Sequence, residues 1–246
     1  MSNDPSSAVA VASRGGRFSH DIGEMLSDTH LIDLTRLRAA AQAVVTCSDV
    51  FLSWLDELCH DDSLVAAAAA RSYWHPNGFA KLVLHTSTDP EFRLRLHVWP
   101  ASDQPHQGES NPHSHRWEFA STVVAGAGLH MVEYKENAHR GKLHARYRYG
   151  CDPTDPAALR PDGEVRLLRT NAPHVRPGQV YSCDTEVVHT VVPIAAGLTA
   201  TLVIQGPRRS QSTVVYCEPG QSEDQPNGEL SESDFRRLVR SVLAEA

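Results

Sequence analysis

His113-Ser114-His115 places two imidazoles two residues apart. In an extended stretch successive side chains alternate sides, so both rings project from one face. Two neutral imidazoles at that spacing can share one metal cation. The pair follows Pro112 and leads into the apolar run Trp117 to Val124. A third histidine, His189, sits inside Val187-Val188-His189-Thr190-Val191-Val192. An imidazole on the inner face of such a strand must be satisfied. A metal ion would do this, and so would a hydrogen bond to a carbonyl. Histidine is over-represented, at 14 of 246 residues. That excess points to a metal and also raises the number of chance pairs.

Arg93 and Arg95 alternate with Leu94 and Leu96, which puts them on one strand face with His97 and Trp99. If that face lines a pocket, it offers guanidinium forks, an imidazole and an aromatic wall to an acid. If it faces solvent, these are ordinary surface residues. Tyr134, Tyr181 and Gln205 are further candidates for contact with a substrate or with the ligands. His97 and His130 read as core or surface histidines rather than metal ligands. The basic run His139 to Arg146 reads as a solvated hairpin. No Ser-His-Asp motif, phosphate-binding glycine loop or dinucleotide fingerprint is present.

The elements that must carry these residues are mostly strands. Residues 1–17 read as a disordered tail of small and polar residues. Residues 18–75 are read as helical. Leu34, Leu37, Ala41 and Val44 recur at helical steps, and Ser48 and Asp49 are candidate caps of a second helix. Pro76-Asn77-Gly78 is a turn, and residues 76–220 read as a β-barrel. Ten short strands are expected there: Phe79–Thr86, Phe92–Trp99, Trp117–Val124, Leu129–Lys135, Leu143–Tyr149, Glu164–Arg169, Val180–Cys183, Val187–Val192, Thr199–Gln205 and Thr213–Cys217. Residues 221–246 read as a linker and a closing helix, with Ser231 or Ser233 as cap.

Composition narrows the function. The chain carries 23 Lys plus Arg against 30 Asp plus Glu, a formal charge of -7. That balance argues against a partner that is nucleic acid or an anionic membrane. No apolar run is long enough for a membrane span. The five cysteines are scattered without a CxxC pair, so a reducing cytoplasm is the expected location.

The stretch from Phe79 to Pro207 resembles the cupin superfamily and, within it, the cysteine dioxygenase-like branch. The matching pieces are Gly78 to Val83, Leu94 to Trp99, Pro112 to His115, Phe119 to Gly126, His189 to Val192, and Leu198 to Pro207. The resemblance implies an all-β fold, a double-stranded β-helix (jelly roll) barrel, flanked here by the N-terminal helical segment and the C-terminal helix. It implies one Fe(2+) held by His113, His115 and His189, with Zn or Ni as substitutes on affinity grounds. It also implies oxidation of a thiol with O2, and it aligns Lys81 with the arginine that binds the substrate carboxylate in that branch.

The chain departs from the branch in its substrate shell. A cupin glutamate usually stands further from the second histidine than Glu118 does. Glu118 is therefore either a fourth ligand or an ion-pair partner of an arginine. Thr201, Val203 and Gln205 occupy the late strand where the branch carries Ser, His and Tyr, and no cysteine lies near Phe119 in sequence. The expected function is a cupin iron(II) dioxygenase acting on a small amino-acid-like or thiol metabolite other than free cysteine, with a role in specialised metabolism. The alternatives are a metal-dependent cupin isomerase or lyase without O2 chemistry, and a non-catalytic small-molecule binder.

Overall fold

The computed structural model describes residues 17–27, 31–103, 111–150, 159–219 and 227–246. Four helices come first: α1 (Arg17–Ser27), α2 (Leu34–Thr46), α3 (Ser48–His60) and α4 (Asp62–Ala69). The strands are β1 (Tyr73–His75), β2 (Phe79–Thr88), β3 (Glu91–Trp99), β4 (Trp117–Ala125), β5 (Leu129–Asn137), β6 (Lys142–Tyr149), β7 (Leu159–Asn171), β8 (His174–Val175), β9 (Val180–Cys183), β10 (Val188–Pro193), β11 (Thr199–Arg208), β12 (Thr213–Cys217) and β13 (Gly228–Glu229). Helix α5 (Glu232–Glu245) follows, and Ser231 caps it by accepting from the Asp234 N–H at 3.1 Å.

All ten expected strands are present. β7 departs most, running longer at both ends than Glu164–Arg169. Three expectations need correction. The helical stretch ends with α4, and Tyr73–His75 join the sheet by pairing with β2. Ser48 lies inside α3, whose N-cap position is Cys47, while Asp33 caps α2 by accepting from Arg36 N–H at 2.9 Å. The run His139 to Arg146 is not a hairpin, because β7 inserts between β5 and β6. The expected tail falls outside the described residues, except that Arg17 opens α1.

The topology is that of a jelly roll. One sheet has the order β13-β1-β2-β3-β11-β4-β9, and the other β10-β5-β7-β6-β12, with β8 also on β5. His113 forms a bridge to His189 in β10 and to Val215 in β12. Eight segments in chain order therefore matter: β3, the His113 bridge, β4, β5, β8, β9, β10 and β11. The first sheet runs first, eighth, third, sixth (β3-β11-β4-β9). The second runs second, seventh, fourth, fifth (His113-β10-β5-β8). This interleaving of two Greek keys defines the jelly roll.

The first sheet is buried on both faces. Leu82, Leu94, Leu96, Ala120, Ala200, Leu202 and Ile204 point to one side, where the helices bring Leu37, Val44, Leu55, Phe235 and Val242. Residues in the alternate phase, including Phe79, Trp99, Phe119 and Val203, point between the sheets and meet Leu129, Met131 and Val191. Gly126 allows the return from β4 to β5. Its φ is +87°, and a Cβ there would lie 2.1 Å from the Leu198 carbonyl oxygen, so only glycine fits. No helix among the described residues is long and apolar enough to cross a membrane.

Candidate metal centre

Backbone pairing sets the three histidines. The His113 N–H donates to the His189 carbonyl at 3.1 Å, and the His189 N–H returns a bond to the His113 carbonyl at 2.9 Å. On the other side, Ser114 N–H donates to Val214 O at 3.0 Å and Tyr216 N–H to Pro112 O at 2.8 Å. The HxH segment is thus held between two strands, and period two brings His115 round to the same face as His113.

The three rings converge. One ligand atom from each of His113, His115 and His189 lies within 4.8 Å of the others. The Nε2 atoms of His115 and His189 face each other at 3.3 Å. Imidazole nitrogens bind a metal at about 2.0–2.1 Å, so two of them on one ion stand roughly 3.0–3.4 Å apart between right-angled and tetrahedral geometry. That pair has the spacing of two ligands on a single cation, and His113 stands close enough to supply a third. His113 Nδ1 lies 3.0 Å from the Asn111 carbonyl, which can only accept, so Nδ1 carries the proton and Nε2 is left as the ligand atom. His189 Nδ1 lies 3.6 Å from Cys183 Sγ. Burial pushes the His115 imidazole well below its ordinary range, and the neighbouring His113, His189, Lys81 and Arg95 add to this. Burial lowers His189 to about 3, with His113 adding and a Val187 backbone bond opposing. Rings held neutral in this way are ready to donate to a metal.

Glu118 does not join the cluster. It projects from the face of β4 opposite to Phe119 and pairs with Arg209, Nε to Oε2 at 3.4 Å. This corrects the fourth-ligand expectation, and the reason is strand phase: His115 and Glu118 are an odd number of residues apart.

The wall opposite the histidines is cationic. Lys81 in β2, His97 in β3 and Thr201 in β11 are cross-strand neighbours in one row. Arg95 and Val203 lie in the next row, and Gln205 and Phe119 in the one beyond. Arg95 is 8% exposed, so its strand face lines the barrel. Arg93 shares the face but is exposed at its rim. Trp99 stacks on Phe79 with centroids 4.8 Å apart, and Tyr181 meets Phe119 edge-on at 6.0 Å. Tyr134 lies elsewhere, its hydroxyl 3.4 Å from that of Thr190. Burial lowers Arg95 to about 10, with Tyr73 opposing and Arg93 adding, so it stays cationic at neutral pH. Arg95 Nε, His97 Nε2, Thr201 Oγ1 and Gln205 Oε1 are buried without a hydrogen-bond partner. Groups of this kind are costly unless something occupies the space they face.

The sequence reading passed over three residues here. Tyr73 lies directly across from Lys81, whose Nζ stands 5.4 Å from the phenol ring. His75 stacks on Phe79 at 4.6 Å, and its Nδ1 accepts the Asn77 N–H at 3.3 Å. Trp117 packs 5.6 Å from His115 and carries the Arg95 guanidinium 5.2 Å from its ring. The run Tyr-Trp-His before the Pro-Asn-Gly turn was the available signal for the first two. Two clefts open elsewhere, one between α1 and the β2–β3 turn, the other beside Tyr134, His144 and Leu167.

No protein-family model matches the chain, and no curated protein does. Solved structures resemble parts of it. An 11S globulin from Wrightia tinctoria is 15% identical with a TM-score of 0.33, over 55% of this chain and 30% of its own. FeII HppE is 11% identical with a TM-score of 0.31, over 52% and 50%. A cupin domain from Bordetella pertussis is 11% identical with a TM-score of 0.31, over 54% and 97%. The chain therefore spans half or less of the length of the first two.

Proposed function

We propose that this chain is an iron(II)-dependent cupin oxygenase that uses O2 to oxidise a small acid-bearing metabolite of amino-acid-like or thiol type. The observation that carries the reading is the convergence of His113, His115 and His189 near the cations Lys81 and Arg95, the Nε of Arg95 being buried without a partner. Three neutral imidazoles leave an iron(II) ion its charge and open positions for substrate and O2. Lys81 and Arg95 hold the acid group. His97 and Gln205 supply further polar contacts, and Trp99, Phe119 and Tyr181 close the space with aromatic surface that excludes water. Thr201, Val203 and Gln205 supply no phenol on the late strand, which argues against free cysteine as substrate.

The test joins metal analysis to O2 uptake. Protein loaded with iron under anaerobic conditions is expected to hold one iron per chain, and His189→Ala to hold none while keeping its circular dichroism spectrum. With a panel of thiol and amino acids, O2 uptake is expected to match substrate loss. Turnover without O2 would favour the isomerase or lyase reading, and wild-type iron content in His189→Ala would defeat the metal site.

A further inference from the structure

Arg116 and Trp117 directly follow the second histidine, and neither is among the groups that hold the first acid. The Arg116 guanidinium stands 5.9 Å from the Trp117 ring and 5.1 Å from the Tyr149 ring. Arg95 flanks the same indole at 5.2 Å. Arg208 is the register partner of Trp117 across β4 and β11. Among the described residues no carboxylate pairs with Arg95, Arg116 or Arg208, whereas the adjacent Arg209 has Glu118. Arg116 Nε is buried and unpartnered, as is Arg95 Nε. A chain of net charge -7 thus sets Arg95 and Arg116 against one indole, with Arg208 across the strand pair from it, beside the three histidines.

The arrangement around Arg116 is specific. Gly150 has φ +81°, and a Cβ on it would lie 2.5 Å from Arg116 Nη1. The positive φ favours glycine at 150, and a side chain there would push the end of the Arg116 guanidinium aside. Cation–π contact with Trp117 and Tyr149 holds the guanidinium in place, and its buried, unpartnered Nε is available to an oxyanion.

We propose that Arg116 and Arg208 form a second oxyanion subsite, so that the substrate carries two acidic groups. One is held by Arg95 and Lys81 near the histidines and the other by Arg116 and Arg208 beside Trp117. The distances to the indole bound the separation of the Arg95 and Arg116 guanidinium carbons at about 11 Å. A span of at most that length suits a short chain with an acid at each end. The proposal rests on the three-histidine site being where substrate binds, and it does not require that the reaction be an oxidation.

Calorimetric titration tests it on the full chain loaded with zinc, which supports binding without turnover. The probes are succinate, adipate and suberate, their matching monoacids, and phosphonopropionate. At least one diacid is expected to bind about tenfold or more tighter than its monoacid, the scale of one charge-assisted pair. Arg116→Met is expected to bring the diacid down to the monoacid's affinity while leaving the monoacid unchanged. Gly150→Ala, which displaces the guanidinium, is expected to do the same. If it fails to fold, Arg116→Lys serves instead, with an intermediate loss from keeping the charge without the fork. Preference for phosphonopropionate over every dicarboxylate would support the subsite and make its acid a phosphorus oxyanion rather than a carboxylate. Equal affinities for diacids and monoacids, or a ratio that Arg116→Met leaves intact, would overturn the proposal. A diacid preference without O2 uptake would keep this subsite and defeat the oxygenase reading.

Discussion

Replacing His75 by phenylalanine tests how the pocket wall responds to acid. Burial, with Lys81 and His113 adding, lowers the His75 imidazole from 6.5 to about 3. Above pH 6.5 the ring is neutral in the folded and the unfolded chain alike, and the stability that this neutrality allows is fully present. Between 6.5 and about 3 the unfolded chain takes up the proton and the folded chain does not, so stability is lost as the pH falls. At pH 5.5 the loss relative to pH 7.5 is about 1.4 kcal/mol for this one group. Phenylalanine keeps a ring on Phe79 but does not titrate. It gives up the Asn77 N–H bond, which costs up to about 1 kcal/mol at both pH values. Urea unfolding of metal-free protein at the two pH values therefore isolates the titration. The wild type is expected to lose about 1.4 kcal/mol more than His75→Phe on acidification. Equal losses would refute the account of His75 as a buried neutral ring beside Lys81.

Glu118→Gln is expected to leave iron content unchanged, because its carboxylate faces Arg209 and not the histidines; loss of iron on elemental analysis would restore Glu118 as a ligand. Leu96 is fully buried between the first sheet and the helices, and Leu96→Ala is expected to cost about 2–5 kcal/mol in urea unfolding, with the three-histidine geometry kept. Lys81→Met is expected to raise KM more than it lowers kcat, since it removes binding shared by ground and transition states. Steady-state kinetics with unchanged KM would take Lys81 out of the substrate contacts.

The strands were legible because most are buried on at least one face and separated by glycine and proline turns. β3 shows this well: Leu94 and Leu96 face the helices while Arg95 and His97 face inward, so the alternation of Leu with Arg was a true strand signal. The same alternation could not say which face was inside, since helices cover the leucine side and the barrel encloses the charged side. The HxH pair could be read from local spacing alone, and His189 from the apolar strand around it. The odd spacing of Glu118 from His115 already spoke against a shared face, but its ion pair with Arg209 is a long-range contact with no local signal. The insertion of β7 between β5 and β6 is a long-range pairing with no local signal. Tyr73 and His75 were hidden because three residues after a helix carry too little periodicity to show a strand.

The bonds that clamp His113 between β10 and β12 also set a timetable. During synthesis the HxH segment leaves the ribosome long before Val188–Pro193 and Thr213–Cys217, the strands that hold it in place. A nascent chain exposes two histidines early but has no third ligand and no backbone template to aim them. A three-nitrogen site therefore forms only after nearly the whole barrel has closed. A metal that needs all three imidazoles would be captured late, once the barrel has closed, and a chain stalled before Cys217 would offer it only a pair of loose imidazoles.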